Sequence, residues 1–162
     1  YRWMMMNLGL VEIKGLDFSA AAIGSISEKL TMNAKLTYTY QKAQDFTKRK
    51  GETLHETTYG GQIPYIPEHS GSAIAGLSYE GWGLNYSFIY VGERYHNSAN
   101  IRENYEQPWY TNDVSLIKDI KMKGYNLRLS AEVNNLLNQD YEVVLNYPMP
   151  KRNYKFTLTV EI

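Results

Sequence analysis

The final nine residues of the chain alternate strictly between apolar and polar side chains. Lys, Thr and Glu separate the members of the apolar set, which are Tyr154, Phe156, Leu158, Val160 and Ile162. Because strand side chains alternate with a period of 2, this segment predicts a β-strand with one apolar and one polar face. A soluble sheet rarely ends on such an edge, whereas a membrane barrel wall needs lipid on one side and a polar interior on the other.

The same alternation recurs upstream and predicts seven strands with no helix. The six earlier strands are expected at residues 10–24, 30–41, 70–79, 82–91, 109–118 and 125–134. In the first of them the apolar parity changes at Gly15, which predicts a β-bulge there. Residues 1–9 are interpreted as a loop.

The connections between these strands alternate in length. The short ones are residues 25–29, 80–81 and 119–124, and the long ones are 45–69, 92–108 and 135–153. An antiparallel up-and-down meander would place all short turns at one end and all long loops at the other. Bacterial outer-membrane barrels have this asymmetry, with short periplasmic turns and long extracellular loops. The pattern therefore predicts an all-β transmembrane barrel wall.

The segment before the last strand carries a family resemblance. It reads Asn134-Asn-Leu-Leu-Asn-Gln-Asp-Tyr-Glu-Val-Val144, followed by Tyr147-Pro-Met-Pro-Lys-Arg-Asn153. These motifs resemble the C-terminal end of TonB-dependent outer-membrane receptors, whose pattern is N-L-F/L-(N/D)-x-x-Y followed by Y-P-x-P-G-R. Lys151 stands where the family has glycine, and Ile162 stands where it has a terminal aromatic residue.

The resemblance implies that residues 1–162 are the C-terminal part of the receptor barrel, with the plug domain and earlier strands absent. Seven strands are an odd number, and bacterial single-chain barrels are even, so we expect part of a plugged barrel of about 22 strands. The implied function is import of a large scarce nutrient, such as a ferric siderophore or cobalamin, across the Gram-negative outer membrane. Energy would come from the TonB system, whose contact segment lies outside this chain.

The implied partners are outer-membrane lipid, the plug domain, TonB and the nutrient. The barrel-assembly machinery would read the terminal strand, with Tyr154, Phe156, Leu158, Val160 and Ile162 as its signal.

Composition and motifs favour binding over catalysis. The 17 basic and 17 acidic residues balance, whereas nucleic-acid-binding proteins are usually strongly basic. No nucleophile motif is present, and His55, His69 and His96 lack metal-ligand spacing. We therefore expect no enzyme activity, no catalytic or metal-binding residues, no cofactor and no nucleic-acid partner.

Aromatic and cationic side chains are concentrated in the long loops and at their borders. Rings and charge-assisted donors suit a large, partly anionic ligand. The ligand-binding candidates are Tyr59, Tyr65, Arg94, Tyr95, His96, Arg102, Tyr105, Trp109, Tyr141 and Tyr147. The alternative for each residue is a role in loop packing or in the aromatic girdle.

Two further groups follow from strand parity. Tyrosine and tryptophan at strand ends predict interfacial girdles formed by Tyr38, Tyr40, Tyr79, Trp82, Tyr125 and Tyr154. Charged side chains predicted on the polar face would contact a plug or form cross-strand ion pairs: Glu12, Lys14, Lys35, Arg128, Glu132 and Lys155.

Two other functions remain open at this point. The chain could be a small stand-alone outer-membrane barrel, acting as an adhesin or structural anchor, which would require an eighth strand within residues 1–9. It could also be a soluble lipocalin-like carrier whose apolar faces turn inward.

Overall fold

The computed structural model describes residues 9–47 and 58–162, and this part of the chain is all-β apart from a 3₁₀ turn at Arg102–Asn104. Seven of its strands have nine or more residues. In chain order the strands are β1 (Val11–Ser25), β2 (Leu30–Asp45), β3 (Gly61–Gln62), β4 (His69–Tyr79), β5 (Trp82–Val91), β6 (Arg94–Tyr95), β7 (Tyr105–Glu106), β8 (Trp109–Met122), β9 (Tyr125–Asn134), β10 (Glu142–Val144), β11 (Tyr147–Pro148) and β12 (Asn153–Glu161).

The seven long strands form one antiparallel meander in the order β1-β2-β4-β5-β8-β9-β12, and β3 pairs with the end of β2. Two small hairpins, β6–β7 and β10–β11, stand apart from this sheet. The predicted seven-stranded meander is therefore confirmed. We call the two ends of the sheet the short-turn end and the long-loop end. Among residues 9–47 and 58–162, no helix has the length and apolar character to span a bilayer.

The strand register gathers the apolar side chains on one face of the sheet. Residues directly opposite each other in an antiparallel pair share a face. One such row crosses six strands and contains Met32, Leu77, Leu84, Leu116, Ala131 and Phe156. We call this side the apolar face. It continues through the terminal strand, where Leu158 pairs with Leu129 and Val160 pairs with Leu127.

The opposite side, the polar face, carries amides, hydroxyls and charges. A neighbouring row of this face contains Asn33, Gly76, Asn85, Ser115, Glu132 and Lys155. Two ion pairs join adjacent strands: Lys155 Nζ lies 3.5 Å from Glu132 Oε2, and Arg128 Nε lies 2.6 Å from Asp119 Oδ1. Three of the charges predicted for this face therefore form cross-strand ion pairs.

No other described part of the chain covers the apolar face. Among the described residues, Ala43 is the only buried hydrophobic side chain. Phe156 is 80% exposed, Leu158 62% and Leu36 49%. A sheet that leaves so large an apolar area open requires an apolar environment outside the chain.

The prediction of a bulge at Gly15 is wrong. The β1–β2 register runs without a shift from Val11–Asp45 to Ser25–Thr31. Gly15 lies opposite Gln41, and a Cβ atom there would come within 2.5 Å of the Tyr40 carbonyl oxygen. A close approach of β2, rather than an inserted residue, explains this glycine.

The unbroken register also corrects two facing assignments. Without a bulge, Glu12 and Lys14 have the parity of Leu16 and lie on the side of the apolar face, where they pair with each other. Both residues belong to the long-loop end of β1, opposite Gln44 and Lys42.

The predicted turn at residues 119–124 is also wrong in extent. Strand β8 continues to Met122, and a two-residue turn at Lys123 and Gly124 leads into β9. Ile120 and Met122 pair with Leu127 and Tyr125, so the apolar alternation extends through the charged stretch. Strand β2 likewise continues past residue 41 to Asp45.

The six predicted girdle residues all lie on the apolar face. Tyr79, Trp82 and Tyr125 are close to the short-turn end, and the other three lie toward the long-loop end. The two sets therefore occupy opposite borders of the apolar face, as interfacial aromatic girdles would. The loop expected at residues 1–9 lies, except for Gly9, outside the described residues.

Candidate functional site

The candidate functional site is the long-loop end, where three loops meet. We define the first loop as the described residues 46–47 and 58–68, the second as 92–108 and the third as 135–152. The second loop is built on the β6–β7 hairpin, in which Arg94 pairs with Glu106 and Tyr95 with Tyr105. This hairpin lies between the other two loops and contacts both.

Arg94 joins the second loop to the third. Its side chain is 4% exposed. One terminal nitrogen, Nη2, donates to the carbonyl oxygens of Glu142 at 2.7 Å and Val143 at 3.3 Å. The other, Nη1, donates to the carbonyl of Gln107 at 3.3 Å. Burial lowers the pKa of Arg94, while the negative charge of Glu106 acts in the opposite direction. The guanidinium thus fixes loop backbone with charge-assisted hydrogen bonds.

Gln62 and Asn100 join the first loop to the second. The Gln62 backbone N–H donates to Asn100 Oδ1 at 2.5 Å, and Asn100 Nδ2 donates back to the Gln62 carbonyl at 3.1 Å. The Gln62 side chain turns the other way, accepting from the Ala43 N–H at 3.2 Å and donating to the Ile66 carbonyl at 3.0 Å. A further backbone bond links the Tyr65 N–H to the Tyr95 carbonyl at 2.8 Å.

Two aromatic pairs lie within this assembly. The Tyr95 and Tyr105 rings meet edge to face with centroids 6.1 Å apart, and those of Trp109 and Tyr141 are 4.6 Å apart. Burial raises the pKa of Tyr141, with a smaller contribution from Asp113. The Trp109 Nε1 atom is buried without a hydrogen-bond partner in the described part of the chain.

Acidic side chains bind two of the predicted ligand residues. The Tyr105 hydroxyl donates to Glu93 Oε2 at 2.9 Å, and this hydrogen bond is the main cause that raises the pKa of Tyr105. His96 Nδ1 lies 2.9 Å from Glu106 Oε1. Within residues 9–47 and 58–162 no group of three or more His, Cys, Asp or Glu side chains could hold a metal ion.

Asn135 connects the third loop to the sheet through its backbone and orders the loop through its side chain. Asn135 is 4% exposed and has a φ of 51°. Its backbone N–H donates to Asp113 Oδ1, its Nδ2 donates to the Gln139 carbonyl, and its Oδ1 accepts from the Gln139 N–H, each at 2.8 Å. These bonds explain an asparagine at this position of the motif, because asparagine tolerates a left-handed backbone and bonds locally.

Lys151 occupies the glycine position of the family motif without a left-handed backbone. It is not among the described residues with positive φ, so the turn accepts a side chain. Its Nζ lies 3.0 Å from Asp140 Oδ2, on the opposite side of the third loop.

The structure brings together seven of the ten predicted ligand residues and separates three. One group lies on or against the β6–β7 hairpin and contains Tyr65, Arg94, Tyr95, His96 and Tyr105, and the Trp109–Tyr141 ring pair between β8 and the third loop forms a second group. Tyr59 instead meets Phe46 edge to face, with centroids 5.5 Å apart. Arg102 is exposed in the 3₁₀ turn, and Tyr147 is 68% exposed. A role in ligand binding stays a prediction for all ten.

The sequence indicated Arg94, but not the uncharged polar residues that order the loops. Gln62, Asn100 and Asn135 carry neither charge nor ring, and their spacing follows no period. Only the family motif around Asn135 offered a signal for one of them. Of the other two histidines, His69 begins β4, and His55 lies outside the described residues.

An antiparallel meander with one apolar face, one polar face and joined long loops at one end defines the class of transmembrane β-barrel walls. Residues 2–136 match the family described as TonB dependent receptor-like, beta-barrel. The chain belongs to this family, whose members are outer-membrane transporters and receptors rather than enzymes.

Two relatives show how far the similarity extends. The chain is 30% identical over 112 residues to the vitamin B12 transporter BtuB of Vibrio vulnificus, covering 66% of this chain and 18% of the relative. It is 27% identical over 153 residues to BtuB of Vibrio cholerae, covering 91% of this chain and 21% of the relative. The chain thus spans about a fifth of the length of these relatives.

The fold is also that of a solved receptor. The crystal structure of BauA, the ferric preacinetobactin receptor of Acinetobacter baumannii, superposes with a TM-score of 0.64 at 12% identity. The match covers 94% of this chain and 27% of the receptor. At this identity the similarity concerns the fold alone.

Proposed function

We propose that the chain is the C-terminal part of the barrel of an outer-membrane receptor that imports a large scarce nutrient with energy from the TonB system. The observation that carries the proposal is the assembly of the three long loops into one surface on the barrel wall of this family. The apolar face would contact outer-membrane lipid, and the polar face would contact a plug domain encoded upstream of residue 1.

The loop geometry supports binding through a preorganised surface. Arg94 and the Gln62–Asn100 pair hold the three loops together with part-buried hydrogen bonds, so ligand contact would cost little further ordering. Tyr95, Tyr105 and the exposed Arg102 supply rings and a cation.

Cobalamin is the first ligand to test, because both BtuB relatives are named as vitamin B12 transporters. A ferric siderophore is the second, since the named ligand of the structural neighbour belongs to that class.

The test is uptake by a strain that carries the full-length gene as its only receptor of this kind. Labelled cyanocobalamin and a labelled ferric siderophore are supplied separately, in cells with and without TonB. We expect TonB-dependent accumulation of one ligand and none of it in a strain without the gene.

A membrane-inserted barrel that accumulates neither ligand, but mediates adhesion or anchoring, would replace this proposal with the stand-alone barrel function. Sequencing the coding DNA upstream of residue 1 provides an independent check. Several hundred further in-frame residues, with a signal peptide and a plug-like domain, are expected.

A further inference from the structure

A groove lies on the apolar face near the short-turn end of the sheet. Its volume is about 460 Å³, and its lining includes Trp82, Lys118, Leu129, Ala131, Phe156 and Leu158. This volume is within the range of about 300–1,000 Å³ that is typical of small-molecule sites.

The groove follows from one small side chain in a row of large ones. Ala131 lies directly opposite Leu116 on β8 and Phe156 on β12. The next row toward the short-turn end places Leu129 between Lys118 and Leu158. The alanine therefore leaves a depression bordered by apolar side chains, with the lysine on one side.

Lys118 is an exception on this face. Over the described residues of the seven long strands, the other Asp, Glu, Lys or Arg side chains with apolar-face parity are Glu12, Lys14 and Lys42, all at the long-loop end of β1 and β2. A charge on a lipid-contacting face is costly unless its head reaches a polar group. The groups around the Lys118 ammonium therefore decide how this face tolerates its charge.

The charge of Lys118 is not neutralised by a carboxylate in the described part of the chain. Its Nζ lies 4.5 Å from the centroid of the Trp82 ring and donates to the Glu80 carbonyl oxygen at 3.2 Å. The Glu80 carboxylate is paired with Lys29, and Asp119 lies on the polar face, where it pairs with Arg128. The ammonium is held beside an interfacial tryptophan with bonding capacity left for an anion.

We propose that this groove binds a glycerophospholipid of the periplasmic leaflet, with one acyl chain against Ala131 and the phosphate at Lys118. The inference rests on the proposed function, because it requires the apolar face to contact the outer membrane with its short turns toward the periplasm. A single anionic headgroup explains both the lysine without a carboxylate partner and its position at the border of an apolar groove.

The test measures phospholipid retained by the full-length receptor. The protein is purified in detergent, titrated with palmitoyl-oleoyl-phosphatidylglycerol and examined by native mass spectrometry. Lys118→Gln should weaken retention about fivefold, the usual contribution of one basic residue near an anionic lipid. Ala131→Leu should weaken it by filling the groove, whereas Lys118→Arg should preserve it.

Lys121→Gln is the matched control, since Lys121 belongs to the same strand end but has the parity of the polar face. Equal lipid retention by Lys118→Gln and the parent protein overturns the proposal, and so does an equal loss in Lys121→Gln. Uptake and the heat-modifiable barrel form are measured on the same variants. If the receptor transports its nutrient but its phospholipid retention does not depend on Lys118, this inference alone is overturned. If the chain never enters the membrane, the proposed function is overturned as well.

Discussion

The long-loop end and the apolar face are held in place by opposite means. At the long-loop end, buried polar side chains bind backbone groups: Arg94, Asn135 and Gln62 are 4%, 4% and 8% exposed. On the apolar face, large side chains such as Phe156 remain open, and the strands are fixed by their continuous backbone ladders.

This difference predicts different sensitivities to mutation. A buried polar group that loses its partner is left with the full cost of desolvation. An open apolar side chain can change size with little effect on the chain itself, but a charge there conflicts with a lipid environment. The loop end should therefore depend on particular polar atoms, and the apolar face on apolar character alone.

The largest effect is expected for a charge in the middle of the apolar face. Leu36→Arg should destabilise the membrane-inserted barrel by about 2–4 kcal/mol, the cost of arginine at the bilayer midplane. The full-length variant should show a reduced heat-modifiable band in the outer-membrane fraction.

The matched control is Thr37→Arg, the next residue of β2 on the polar face. It loses one hydroxyl hydrogen bond, to Ser72 at 2.7 Å, so a cost of only about 1 kcal/mol is expected. Equal assembly defects in the two variants would contradict the assignment of the two faces.

Removal of the Arg94 guanidinium should have the next largest effect. Arg94→Met keeps a long side chain but leaves the carbonyls of Gln107, Glu142 and Val143 without this donor. We expect a loss of about 3 kcal/mol, within the range for buried bonds to a charged group. The readout is limited proteolysis of the third loop in the folded receptor.

Arg102→Ala provides the comparison, because Arg102 is an exposed loop arginine. This substitution should change the stability of the loop by no more than about 0.5 kcal/mol, so protease should cleave the variant at nearly the rate of the parent protein. If Arg94→Met were cleaved no faster than Arg102→Ala, the guanidinium would not hold the two loops together.

Most of the strands could be predicted from the sequence because they repeat one simple alternation, which β1 breaks near Gly15. The strands predicted at residues 82–91 and 125–134 have the same bounds as β5 and β9 in the structure. The end of β8 was missed because Lys118, Asp119, Lys121 and Lys123 obscure the apolar parity that Ile120 and Met122 continue. A strand end that is rich in charged residues thus has the amino-acid composition of a turn.

The assembly of the loops could not be predicted in the same way. Its bonds join residues far apart in sequence, such as Arg94 to Glu142 and Gln62 to Asn100, and pair side chains with backbone. Such bonds leave no periodicity. Composition indicated that the loops contain aromatic and cationic residues, but not that Arg94 would be buried within them.

A smaller effect is expected at Asn135. Asn135→Ala removes the side-chain bonds to Gln139. It also places alanine, which lacks the local hydrogen bonds of asparagine, at a φ of 51°. We expect a loss of about 2 kcal/mol in the free energy of unfolding, from lost hydrogen bonds and left-handed strain. Urea unfolding of the detergent-solubilised receptor measures it.

Asn135→Gly separates these two causes. Glycine accepts the positive φ but also lacks the amide, so it should be about 1 kcal/mol more stable than the alanine variant. If the glycine variant were no more stable than the alanine variant, relief of backbone strain would not exceed the conformational entropy that glycine loses on folding.

The smallest effect concerns the exposed hydrogen bond between Tyr105 and Glu93. This bond raises the pKa of Tyr105 because it favours the protonated phenol in the folded protein. The resulting stability is fully present below the ordinary tyrosine pKa of about 10 and is lost as the pH rises through the raised value. Tyr105→Phe should therefore change stability little at neutral pH and reduce its loss in alkali.

Tyrosinate absorbance during an alkaline titration of the folded receptor measures this directly. Tyr105→Phe should remove a component that ionises late, and Glu93→Gln should shift that component to lower pH, because the neutral amide no longer opposes the phenolate. A late component that persists in Tyr105→Phe would belong to another tyrosine. Tyr141 is the first to examine, because burial raises its pKa as well. In that case the Tyr105 hydroxyl would not depend on Glu93 as a particular partner, just as the side chains of the open apolar face depend on no particular partner.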